Sequence, residues 1–135
     1  MKTTLKRFGI AIPKELLERF DKYIKEKKYK NRSEAIRDLI RAEFVKKSWQ
    51  QNKEVVGVIS IVYNHHKREL LDKIVDLQHN YQHLIIASQH IHLTHESCLE
   101  VILTRGKAKS IQELKDKLAA IKGVTHSTLS ITSIV

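Results

Sequence analysis

Apolar and polar positions alternate from Arg7 to Ile12: Phe8, Ile10 and Ile12 share one face, and Arg7, Gly9 and Ala11 the other. That period of two predicts a short strand. Pro13 ends it and suits the first turn of a helix. Leu16, Leu17, Phe20 and Ile24 follow at helical spacing. Lys27-Lys28-Tyr29-Lys30 breaks the rhythm. Asn31-Arg32-Ser33-Glu34 then reads as a capping box, with Asn31 as N-cap and Glu34 at the third helical position. Ile36, Leu39, Ile40 and Phe44 mark a second amphipathic helix. The predicted order is strand, helix, helix.

After a polar join, Ser48-Trp49-Gln50-Gln51-Asn52-Lys53, the pattern changes. Val55–Tyr63 is β-branched and apolar, which predicts a buried strand. Leu70, Leu71, Ile74 and Leu77 predict a helix from Lys67 to His79. Leu84–His92 and Cys98–Thr104 predict two strands joined by a turn at Thr94-His95-Glu96, with Gly106 stopping the second. Ile111, Leu114, Leu118 and Ile121 predict a helix closed by Gly123. Leu129, Ile131 and Val135 recur at even spacing in a last strand. This β-α-β-β-α-β order is that of a ferredoxin-like or ACT-like α+β domain, with helices on one face of a sheet.

Charge divides the chain at the same join. Residues 1–50 hold 15 Lys/Arg and 7 Asp/Glu, while all eight histidines lie after position 64. A net charge of +10 concentrated at the N-terminal end favours a polyanionic partner. No apolar run approaches a membrane span. The polar start, Met1 to Lys6, lacks a secretory h-region. The single cysteine, Cys98, leaves no disulfide within the chain, so a reducing cytoplasm is the expected location.

A lone strand cannot satisfy its own backbone, and a core this small is marginal. Two copies solve both problems by pairing their strands into an antiparallel ribbon, and such a ribbon fits the major groove of B-DNA. The segment from Leu5 to about Val45 resembles the ribbon-helix-helix family of DNA-binding proteins. Arg7, Gly9 and Ala11 are then expected to face the bases, with Arg7 the one side chain able to make a bidentate contact to guanine. The second helix's N-terminus, at Asn31, Arg32 and Ser33, offers free N–H groups to a phosphate, and Lys28 and Lys30 add charge nearby.

His90 and His92 are two apart on a strand and so share a face, and a hairpin returns Cys98 towards them. His79 ends the preceding helix. Three imidazoles and a thiolate suit a late first-row divalent metal; nickel, copper and zinc all fit that donor set. Of the other histidines, His65 and His66 follow a strand end as outer groups or extra weak ligands, and His83, His95 and His126 read as surface or turn residues. Four N/S ligands leave no open position for hydrolytic chemistry, and no Ser-His or Cys-His nucleophile pattern appears, so an enzyme is not expected.

A ribbon-helix-helix module followed by an ACT-like domain with Q-H, H-I-H and C-L-E in this spacing resembles the nickel-responsive transcriptional regulators (NikR). The resemblance covers residues 5–134. It implies a DNA-binding domain over 1–48 and a metal-binding, tetramerisation domain over 53–135. It implies a homotetramer, a dimer of dimers, that represses metal-uptake genes. It implies one Ni(2+) per chain, with near-coplanar ligands His90, His92 and Cys98 from one chain and His79 from a neighbour. A weaker cation site carries over onto Glu34 and Asp38. The competing expectation is a metal-independent ribbon-helix-helix regulator whose ACT-like half binds an amino acid.

Overall fold

A computed structural model of the chain describes residues 3–134. The chain divides into two compact units, one ending at Arg41 and the other beginning at Ala42.

In the first unit, helix α1 spans Lys14–Glu26 and helix α2 begins at Arg32. Pro13 takes the N-cap position, and its carbonyl accepts from Leu17 N–H at 3.0 Å. Lys28, at φ 61°, turns the chain out of α1. The predicted cap of α2 is present: Asn31 Oδ1 accepts from Glu34 N–H at 2.9 Å. The unit's own core is small, with Ile24 and Ala35 buried. The predicted strand over Arg7–Ile12 makes no strand hydrogen bonds in the single chain. Phe8 and Ile10 remain 74% and 66% exposed. Among the described residues of the first unit there is no other strand for it to pair with.

Helix α2 continues to Gln50, so Ser48, Trp49 and Gln50 belong to the helix and not to an irregular join. Nothing in Arg32–Gln50 interrupts it: the segment lacks both Gly and Pro. The chain leaves the helix at Asn52, whose φ of 52° is a left-handed turn.

The second unit is built from β1 (Glu54–Asn64), α3 (Arg68–Asn80), β2 (Ile85–His92), β3 (Ser97–Lys107), α4 (Ala108–Ala119) and β4 (Val124–Thr132). The four strands form one antiparallel sheet in the order β2-β3-β1-β4, the ferredoxin-like arrangement. Strict alternation in β1 buries Val55, Ile59, Ile61 and Tyr63. These pack with Ile102 of β3, Leu70 and Ile74 of α3, and Ile111, Leu114 and Leu118 of α4. Trp49 lies against this core and donates from Nε1 to the Thr132 carbonyl at 2.9 Å. Gly106 does not stop β3, which runs one residue past it. Its smallness answers a packing need instead, since a Cβ there would sit 2.5 Å from Leu84 Cδ2. Helix α4 ends earlier than expected, at Ala119, so Gly123 does not close it; at φ 107° it turns the chain into β4 instead. Leu129 packs on the core; Val135 lies outside the described residues. No described helix is long and apolar enough to cross a membrane.

Candidate metal centre

The β2–β3 hairpin closes through Leu93–Glu96, where Thr94 Oγ1 accepts from Ser97 N–H at 3.0 Å. Its register pairs His92 with Cys98 and His90 with Glu100. All four side chains therefore point to one face of the sheet, the face that buries Tyr63. Cys98 and Glu100 are 2% and 1% exposed, while β2, at the sheet edge, leaves both histidines open.

His90 is the hub. Its Nδ1 lies 3.9 Å from Cys98 Sγ and 3.2 Å from the Tyr63 hydroxyl; its Nε2 lies 3.1 Å from Glu100 Oε1. Glu100 also accepts from the Tyr63 hydroxyl at 3.1 Å and from Gln78 Nε2 at 2.9 Å. A buried carboxylate is costly unless so satisfied. Burial first, then the charge of Glu100 and the neighbouring Cys98, pushes the Tyr63 hydroxyl well above its ordinary range, which keeps it a donor. Glu100 and Gln78 carry no role in the sequence reading beyond belonging to C-L-E and Q-H. The available signal was alternation: Glu100 is two residues from Cys98 on a strand.

His79 sits in the last turn of α3 and is exposed. It lines a hollow of about 360 Å³ together with Gln78, Tyr63, His90 and Glu100. Among the described residues, no three His, Cys, Asp or Glu side chains of one chain are arranged to hold an ion. The donors nonetheless fit a late first-row metal. Such an ion bonds imidazole nitrogen at about 2.0–2.1 Å and thiolate at about 2.3 Å. The 3.9 Å between His90 Nδ1 and Cys98 Sγ is less than that sum, so one ion can touch both. A His that meets a metal on one nitrogen commonly donates its other N–H to a carboxylate, and Glu100 stands there for His90.

A second group of histidines borders the hairpin. The His65 ring lies 4.3 Å from His66 and 4.6 Å, edge-on, from His92, and His66 lies 5.1 Å from His95. Burial, then the neighbouring His66, His92 and His95, lowers the His65 pKa, and its Nδ1 is buried without a partner. His126, on β4, pairs with Val62 away from this cluster.

In the first unit, Arg7, Gly9 and Ala11 are exposed, as are Lys28, Lys30, Asn31, Arg32 and Ser33 except where partners hold them. Arg32 has such a partner: its Nε and Nη2 both donate to Asp21, each at 2.9 Å. Glu34 and Asp38 line a hollow of about 280 Å³, but Arg37 and Arg41 line it too. Asp38 already accepts from the Tyr29 hydroxyl at 2.9 Å, which pushes that phenol up to about 12. Ile10, Ile12, Leu16, Leu17, Phe20, Ile36 and Leu39 border an open apolar groove of about 690 Å³.

Comparison with known proteins places both halves. Residues 56–132 match the family described as the NikR C terminal nickel binding domain, and residues 6–47 match the ribbon-helix-helix proteins of the copG family. A relative from Desulfotalea psychrophila is 52% identical over 96% of this chain and 95% of its own length. One from Syntrophus aciditrophicus is 49% identical over 95% and 93%. One from Pyrococcus furiosus is 50% identical over 94% and 93%. All three are named as candidate nickel-responsive regulators. In fold alone, an uncharacterized Thermotoga maritima protein aligns with a TM-score of 0.54 at 18% identity, covering 58% of this chain and 98% of that one.

Proposed function

The chain belongs to the nickel-responsive regulator family, and on that premise we propose that it is a DNA-binding repressor of metal-uptake genes, switched by nickel. Each chain takes one Ni(2+). His90, His92 and Cys98 supply three ligands, and His79 of a neighbouring chain supplies the fourth. Bound nickel serves as a cross-link that favours one ordered assembly, which is what a switch requires. The chain's own groups do the rest. Cys98, as thiolate, is kept from solvent in the core. Glu100 orients His90 through Nε2 and leaves Nδ1, the nitrogen nearer Cys98, for the ion.

The observation that carries this reading is the pairing of His92 with Cys98 and His90 with Glu100 on one face, while the described residues of one chain do not gather three ligands. A split site needs at least two chains, and the family fold suggests four, with residues 53–135 joining them. The N-terminal segment makes the same demand. Phe8 and Ile10 stand exposed, Ile10 on the border of an apolar groove, and a second copy pairing through Arg7–Ile12 covers both. The outer face of that ribbon then carries Arg7, Gly9 and Ala11 to the bases. Lys28, Lys30 and the α2 N-terminus at Asn31, Arg32 and Ser33 meet the phosphates. Glu34 and Asp38 form a weaker cation site only if the cation competes with Tyr29 and Arg41 for Asp38.

Nickel titration followed by ultraviolet absorption tests the reading. A thiolate-to-metal charge-transfer band should saturate at one ion per chain and vanish in Cys98→Ala. Mixing His79→Ala chains with Cys98→Ala chains should restore part of the band, because each supplies what the other lacks. A metal-independent regulator would bind its operator equally with and without nickel, and Cys98→Ala would not matter.

A further inference from the structure

We propose that Tyr81, held by Lys117 and Glu113, is a positioning residue for His79: it fastens the last turn of α3 so that His79 is presented to the metal. The inference rests on the reading that His79 is a nickel ligand.

His79 stands in the final turn of α3, which has the fewest hydrogen bonds within the helix and frays first. The apolar stripe of α3 runs Leu70, Ile74, Leu77, and the next inward position at that spacing is Tyr81. Tyr81 closes the helix, with its backbone N–H at 3.1 Å from the Gln78 carbonyl and 3.3 Å from that of Leu77. Its ring packs on the core. Its hydroxyl reaches α4 and accepts from Lys117 Nζ at 2.7 Å, while Glu113 Oε1 holds the same ammonium at 3.1 Å. Helix α4 is a firm anchor, because Ile111, Leu114 and Leu118 are fully buried.

His79 is thus bracketed. On one side Gln78 ties the turn to Glu100 and the β2–β3 hairpin; on the other Tyr81 ties it to α4. A ligand on a fraying turn is competent only part of the time, and apparent affinity falls by that fraction. Fastening the turn raises the fraction before any metal arrives.

The test is nickel affinity of the full-length protein, read from the charge-transfer band in competition with a chelator. Tyr81→Phe and Lys117→Met should each weaken nickel binding roughly tenfold, leave the saturated band in place, and lower affinity little further when combined. Lys117→Arg should recover most of the loss. In a His79→Ala background, Lys117→Met should have no further effect. A loss of the same size in that background would show a general structural role and overturn the proposal, as would wild-type affinity in both single variants. If His79→Ala itself binds nickel as the wild type does, the ligand assignment fails and this inference falls with it. Thermal unfolding of the metal-free variants close to wild type would confirm that each has folded.

Discussion

His90 and Glu100 face each other across the β2–β3 pairing, with Nε2 3.1 Å from Oε1, and Glu100 is 1% exposed. One buried carboxylate gathers His90, Tyr63 and Gln78, residues from β2, β1 and α3. A negative group on the far nitrogen fixes the ring's orientation and makes its other nitrogen more basic.

Glu100→Gln should therefore weaken nickel binding by about 10–100-fold, the usual range for an outer partner of a metal-bound histidine. The charge-transfer band should persist at saturation, because Cys98 and the histidines remain. Chelator competition measures the loss, and an unchanged affinity would remove Glu100 from the centre.

On DNA, Arg7→Ala should erode the preference for operator over random sequence by about 1–3 kcal/mol per site, since Gly9 and Ala11 carry no side-chain donor. Lys30→Ala should weaken both kinds of binding and reduce the slope of log K against log salt by about 0.9. Affinities for both DNAs over a salt series, with and without nickel, separate the two. If Arg7→Ala keeps the full wild-type ratio, the base-facing assignment of Arg7–Ile12 must be given up.

Arg32 is clasped by Asp21. Its hydrogen bonds to Asp21, and then its charge, hold that carboxyl below its ordinary value of 3.8. The folded pKa lies below the unfolded one, so the pair's contribution is present above pH 3.8 and is lost as pH falls through the lowered value. A carboxyl titration followed by NMR should show Asp21 titrating low in wild type and near its ordinary value in Arg32→Ala. Because the pair is exposed, the melting temperature at neutral pH should hardly move. An ordinary Asp21 titration in wild type would break the assignment.

Two glycines should respond differently. Gly123→Ala forces a side chain into φ 107° and places its Cβ 2.9 Å from Leu70 Cδ2; a cost of about 1–3 kcal/mol is expected. Gly9→Ala meets nothing within 4 Å in the single chain and should leave stability unchanged. Thermal unfolding of the metal-free protein compares them, and equal melting temperatures would contradict the strained turn at Gly123.

Local rules made most of the architecture legible. The alternation in Val55–Tyr63, the stripe Leu70, Ile74, Leu77 and the Asn31 cap each depend on neighbours within a few residues, and each stands where the pattern placed it. The ends of elements were less legible. Ser48–Gln50 looked like a join because its polar side chains carry no periodicity; the helix persists because Trp49 finds Gly57 and the Thr132 carbonyl. Gly106 read as a stop, yet it is the space that Leu84 requires.

By itself the sequence determined the order of elements from α1 to β4, the shared face of His90 and His92, and the return of Cys98 towards them, because strand alternation and a short hairpin leave little freedom. Tertiary structure alone decided that Arg32 is clasped by Asp21 and that Glu100 unites Gln78, Tyr63 and His90. Those partners lie 10 to 37 positions apart, and periodicity names the face a side chain occupies but not which distant side chain it meets there. That meeting is set by how helices and strands pack, where a buried carboxylate must find every donor within reach.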